Sequence, residues 1–289
     1  MPARPHHLIT LFAALALTTS ACTSTPVGDE GSPGFGHIHA LEFSAEGDLL
    51  VASHRGVYTV DVGDGSAELV GEADFDAMGM AVTGDAIVAS GHPGLQSDDV
   101  FVAPNIGLVR HTPTTSWESV ALAGQTDFHG LATTPANDQM IIGLPTDRPT
   151  LAVSQDAGVT WSDAADLQAR EVIIDAAQPE TIVATTAAGL LISQDAGATF
   201  NPLDGAPLLV VIASDDRRDG GVIGIDTNQV IWAGSSEEPA SFEQIGRSTG
   251  TPAAIAANPA TGAVAVADDR GIVVSTEDRT DWEVLLPAD

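Results

Sequence analysis

The chain has no lysine. Its ten basic residues are all arginine and stand against 40 aspartates and glutamates, a formal net charge of −30. A field of that sign repels nucleic acid and anionic lipid headgroups, and it disfavours anionic substrates unless arginines gather locally. Cations and basic partners are the natural ligands. The single cysteine, Cys22, leaves no intrachain disulfide. The single tyrosine, Tyr58, lies in the alternating run Val57–Val60, where packing is its expected role. There is no Gly-x-Ser-x-Gly elbow and no phosphate-cradling glycine motif, so serine-nucleophile and nucleotide chemistry have no signal. Beyond the N-terminus no apolar run is long enough to span a bilayer as a helix.

What is present begins with an export pattern. Arg4, His6 and His7 form a weakly basic start, Leu8 to Leu17 a short apolar core, and Thr18-Thr19-Ser20-Ala21 a small-residue approach to Cys22. The ending resembles a bacterial lipobox, with Thr19 where an aliphatic residue is usual. This implies a signal peptide over 1–22, lipidation of Cys22 and a membrane anchor on the extracytoplasmic side. The alternative is ordinary signal cleavage near Ala21. Residues 23–36, rich in Thr, Ser, Pro and Gly, read as a flexible tether.

Residues 37–289 read as one all-β domain: the chain carries 29 glycines and 17 prolines, and its apolar runs are short and rich in Val, Ile, Ala and Thr. An octapeptide occurs twice, as Ser154-Gln155-Asp156-Ala157-Gly158-Val159-Thr160-Trp161 and as Ser193-Gln194-Asp195-Ala196-Gly197-Ala198-Thr199-Phe200. Asp can accept backbone N–H bonds in a tight turn, Gly tolerates positive φ, and the aromatic can anchor a core. Each octapeptide therefore predicts a hairpin turn, with Ser154, Asp156, Gly158, Thr160, Trp161, Ser193, Asp195, Gly197, Thr199 and Phe200 as structural residues. A decayed copy, Ser275 to Trp282, lacks the glycine. Related phrases divide the chain into units of about 40 residues, the length of one propeller blade, at 37–73, 75–124, 128–168, 170–207, 208–248 and 252–289. The prediction is a six-bladed β-propeller with four-stranded antiparallel blades. A seventh blade would need nearly all of the polar tether. Ring closure would fall to the final strand, Trp282 to Leu286, or to a segment near Phe35.

The octapeptide resembles the Asp box, or BNR repeat, of sialidase-like β-propellers. The phrases His37-Ile38-His39-Ala40-Leu41, Ser90-Gly91-His92-Pro93 and Asp127-Phe128-His129-Gly130-Leu131 are similar to those of bacterial lipoproteins classed as BNR-repeat glycosyl hydrolases. Sortilin-type and photosystem-assembly-factor propellers are more distant. The resemblance implies the fold and leaves the function open. A sialidase would need a tyrosine nucleophile and an arginine triad, which Tyr58 and the scattered Arg55, Arg110 and Arg148 do not supply. Another glycoside hydrolase would use an Asp/Glu pair, with Asp74, Asp76 and Asp127 as the candidates.

The six histidines beyond the signal segment all fall in the first three units. Aligning the units places His39, Met78 and His129 at one level of three successive channel-lining strands, and His54 and His92 in equivalent loops on one face. His37 lies two residues before His39, on the same side of its strand. Imidazole with thioether suits copper, and imidazole alone suits zinc. The candidate metal ligands are therefore His37, His39, His54, His92 and His129 with Met78 or Met80. His111 is expected on a surface loop, and the equivalent positions of units four to six, around Val172, Val210 and Ala253, as apolar. The expected function is binding of a ligand, metal ion or protein partner at the channel mouth of blades 1–3. The alternatives are a glycoside hydrolase at the same face and a non-catalytic assembly scaffold. A glycan or protein partner and a monomeric state are expected, and nucleic acid is not.

Overall fold

The computed structural model describes residues 34–94 and 101–288. Cys22, the signal segment and most of the tether lie outside the described residues. Six four-stranded antiparallel sheets follow one another along the chain, spanning 38–69, 75–121, 128–166, 169–202, 209–247 and 254–287. These are the six blades of a β-propeller, and each is a simple meander in sequence order. The inner strands are Ile38–Phe43, Phe75–Thr83, Phe128–Ala132, Ala169–Ile174, Leu209–Ser214 and Ala254–Ala257. They neighbour one another around a central channel, and the last neighbours the first.

Burial grades outward from sequence pattern. Second strands such as Leu49–Ser53, Ile141–Pro145 and Gly221–Asp226 are buried at every residue. They lie between the faces of adjacent blades, so they read as continuous apolar runs rather than alternating ones. Outer strands such as Ser162–Asp166 and Glu243–Arg247 are half-buried to exposed and carry the acidic residues. Among the described residues no helix is long and apolar enough to cross a membrane.

The ring closes without strand exchange. Trp282–Pro287 is the outermost strand of its own blade, and among the described residues no N-terminal strand joins it. Closure is side-chain packing: Phe35, Leu41, Val51 and Val60 share one apolar cluster with Ala265, Ala267, Ile272 and Leu286 of the sixth blade. Tyr58 joins this cluster, its ring 5.0 Å from that of Phe35 and edge-on, as its packing role requires.

The octapeptides form the turns between third and fourth strands on the outer rim of blades 3 and 4. Asp156 accepts from Thr160 N at 2.8 Å and from the hydroxyls of Thr160 and Ser154 at 2.6 and 2.9 Å. Asp195 repeats the pattern with Thr199 and Ser193. These bonds favour the carboxylate form and hold both aspartates below the usual range. Gly158 has φ +89°, and a Cβ there would lie 2.1 Å from Leu108 Cδ2. In the sixth blade Arg279 takes the glycine's place at φ +60°. Its guanidinium donates to Asp215 of blade 5 at 2.9 Å and to Gly262 O of its own blade at 2.8 Å.

Candidate functional site

Five inner strands carry a register shift near the same level. In blade 1, Ile38 pairs with Ser53 and Ala40 with Ala52, leaving His39 as the extra residue. The extra residue is Met78 in blade 2, His129 in blade 3 and Val210 in blade 5. In blade 4 two residues, Arg170 and Glu171, stand opposite Thr185. A β-bulge re-aims the side chain it inserts. The repeat thus delivers His39, Met78, His129 and Glu171 to the wall of a channel of about 950 Å³.

Two groups of side chains converge at the mouth over blades 1 to 3. In the first, His37 and His39 bring their Nδ1 atoms to 3.4 Å, and the His54 ring lies 4.9 Å from that of His39 and 5.8 Å from that of His37. In the second, Asp127 Oδ2 lies 2.8 Å from His129 Nε2 and 3.3 Å from His92 Nε2. Each group offers three ligand atoms lying within 4.8 Å of one another. Asp76 stands between the groups: it is the register partner of His92, and its Oδ1 lies 3.3 Å from His39 Nε2.

The electrostatics are those of a polar mouth in which His39 and Asp127 are sheltered and the other histidines reach solvent. Burial holds His39 down at about pKa 4, outweighing the opposing pull of Asp76. It is therefore a neutral imidazole at neutral pH. His129 is pushed up, chiefly by its bond to Asp127. Asp127 is 2% exposed and its Oδ1 has no hydrogen-bond partner. His39 Nε2 and Asp76 Oδ1 are also buried, and they are misaligned for a hydrogen bond despite their proximity. A native interior leaves few such atoms unmatched.

One backbone contact determines the second group. His92 Nδ1 lies 3.2 Å from Pro104 O. A carbonyl only accepts, so Nδ1 carries the proton and, in the neutral ring, Nε2 presents a lone pair. That lone pair faces a carboxylate oxygen, which also only accepts. Only a cation, a proton or a metal, reconciles the two.

The other anticipated residues separate. Met78 and Met80 both border the channel, but Met80 is 3% exposed and packs among Leu50, Ala52, Ala77 and Ala89. Asp74 sits just before the inner strand of blade 2, its carbonyl accepting from Gly94 N, and it is in neither group. His111 is in a strand, half-buried, its ring 5.4 Å from that of Trp117, rather than on an open loop. The expectation of an apolar blade 4 needs correction. Glu171 faces the channel, accepts from Ile212 N at 2.7 Å, and is pushed up to about pKa 7 by burial. Arg170 reaches across to Pro252 O of blade 6 at 3.3 Å. Glu42, also in the channel, is raised to about 7 by its enclosure and then by Asp216.

The rim turns reach the site after all. Trp161 stacks on Phe128 at 4.7 Å between centroids, and Phe128 lies between Asp127 and His129 in sequence. Phe128 N is held by Ser90 Oγ at 2.9 Å, and Asp127 O accepts from Thr146 N at 3.0 Å.

No protein-family model matches the chain, and no curated protein does. Solved structures share the fold. An ancestral GH74 enzyme is 16% identical, covering 84% of this chain and 37% of its own, with a TM-score of 0.55. A GH74 xyloglucanase from Xanthomonas campestris is 15% identical, covering 86% and 45%, with a TM-score of 0.59. A chain of a nidogen/laminin complex is 11% identical, covering 82% and 92%, with a TM-score of 0.63. The chain thus spans less than half the length of either GH74 enzyme. GH74 enzymes and a chain of a nidogen/laminin complex alike share this architecture, and the likeness reaches no further than the fold.

Proposed function

We propose that this propeller binds a transition-metal ion, zinc or copper, at the channel mouth of blades 1–3. The carrying observation is the convergence of His92 Nε2 and His129 Nε2 on one buried carboxylate oxygen, Asp127 Oδ2, at 3.3 and 2.8 Å. His129 completes a two-imidazole, one-carboxylate set, a recurrent zinc ligand combination. In this reading the octapeptides are Asp boxes of a BNR-repeat propeller, supported by their Ser–Asp–Thr bonding. The export pattern ending at Cys22 would carry the domain as a lipid-anchored protein outside a bacterial membrane.

The glycoside hydrolase alternative draws on the two carboxylates at the mouth and on the fold shared with GH74 enzymes. It is the weaker reading. Asp127 Oδ2 is already engaged by two imidazoles, which leaves it poorly placed as a nucleophile or proton donor.

The test is equilibrium dialysis of the purified protein against Zn²⁺ or Cu²⁺, followed by elemental analysis. The expected result is stoichiometric uptake by the wild type, at least one ion of which is lost in Asp127→Asn. Absence of stoichiometric uptake by the wild type overturns the proposal. Turnover of a glycoside panel that Asp127→Asn abolishes would replace it with the alternative.

A further inference from the structure

We infer that the mouth holds two cations side by side, the second at His37, His39 and His54. The inference rests on the metal reading above and extends it to a separate set of ligands. The first argument is spacing. Two nitrogens bound to one tetrahedral zinc at about 2.0–2.1 Å lie about 3.3 Å apart. His37 Nδ1 and His39 Nδ1 are 3.4 Å apart. His54 closes a third side, with its ligand nitrogen within 4.8 Å of both others.

The second argument is orientation. A histidine that binds a metal through one nitrogen usually directs the other at a carboxylate or a carbonyl. His39 turns Nδ1 toward His37 and leaves Nε2 3.3 Å from Asp76 Oδ1, close but not aligned for a hydrogen bond. His92 turns Nε2 toward Asp127 and Nδ1 toward Pro104 O. Both groups therefore show the same division of labour within a ring. The backbone holds the first group in shape: His54 N donates to His37 O at 3.1 Å, tying the hairpin loop to the start of the inner strand.

The third argument is charge. Two cations bound close together need carboxylates near both. Asp76 lies against His39, and its charge also acts on His129 of the other group. Asp127 serves the second group directly. The two sites differ in kind. Three imidazoles with no carboxylate ligand form the softer set and take either zinc or copper. Two imidazoles with a carboxylate form the harder set and favour zinc.

The experiment counts ions. The wild type, dialysed against Zn²⁺ or against Cu²⁺, is expected to retain two per chain. His54→Ala and the milder His54→Gln change an exposed loop residue and are expected to retain one. Asp127→Asn is expected to retain the other. With Cu²⁺, the paramagnetic spectrum of Asp127→Asn should show nitrogen-only ligation by three imidazoles. One ion per chain that survives His54→Ala overturns the second site and leaves the first standing. A single ion lost in both variants indicates one shared site and also overturns the inference, as do two ions that His54→Ala leaves in place. Zero ions overturns this inference and the metal reading together. Circular dichroism of each variant confirms that a lost ion is not a lost fold.

Discussion

Trp161 and Phe128 connect a turn on the outer rim to the mouth of the channel, and their coupling can be measured. Replacing Trp161 by leucine keeps an apolar side chain. It removes the stack on Phe128, worth about 0.5–1.5 kcal/mol. It also removes the indole bond from Nε1 to Gly158 O at 2.8 Å, worth about 0.5–1.5 kcal/mol. The expected total is about 1–3 kcal/mol. In a domain of this size that lowers Tm by about 2–12 °C. Phe128→Leu also breaks the stack but spares the indole bond. A double-mutant cycle by urea unfolding should therefore return a coupling of about 0.5–1.5 kcal/mol, the stack alone. Phe128 lies between Asp127 and His129, so Trp161→Leu should also weaken zinc retention, although Trp161 touches no candidate ligand. A coupling near zero, or unchanged zinc affinity in a destabilised Trp161→Leu, would refute the reasoning that the rim turn positions the mouth.

Two further predictions concern buried charge. Glu171 has an ordinary pKa of 4.5 and about 7 when folded, so the folded state binds its proton more tightly than the unfolded state does. Its contribution to stability is full below about pH 4.5 and is lost as pH rises through about 7; Glu171→Gln should flatten that fall in urea unfolding at pH 5 and pH 8, and an unchanged slope would count against it. Asp215 (1% exposed) and Arg279 (7% exposed) form a buried pair between blades 5 and 6. Asp215→Ala should cost about 3–5 kcal/mol by stranding the guanidinium, and Asp215→Leu with Arg279→Met should recover most of that loss, as read from chemical denaturation.

The blades were legible because related phrases recur: an opening strand, a buried second strand and, in blades 1, 4 and 6, a glycine-led third. Their predicted limits agree with the observed sheets to within a few residues. The common level of His39, Met78 and His129 was also legible, since repeat alignment preserves bulge position even when it cannot reveal the bulge. Blade 4 broke this rule. Its phrase aligned Val172 with the histidines, but the extra residues fall earlier, at Arg170 and Glu171, so the channel-facing acid went unrecognised. Met80 was named as an alternative ligand to Met78. The bulge lies between Ala77 and Gly79, so spacing from Met78 no longer reports which side a residue faces, and Met80 is in the core. Two determinants had no local signal. The Pro104 carbonyl that orients His92 is a backbone atom, and the Arg279–Asp215 pair joins residues far apart in sequence.

The closure of the ring by packing alone has a consequence for how the molecule can be cut and rejoined. Every blade draws its four strands from one stretch of chain, and among the described residues no hydrogen-bonded ladder is shared across a blade boundary. Phe35, near the start of the domain, and Leu286, near its end, meet in one apolar cluster. A circular permutant that links these ends and opens the chain between blades 3 and 4 would keep every ladder and every histidine in place. The join between blades 6 and 1 is then a seam in genetic order only, and the domain can be treated as a closed necklace whose clasp is movable.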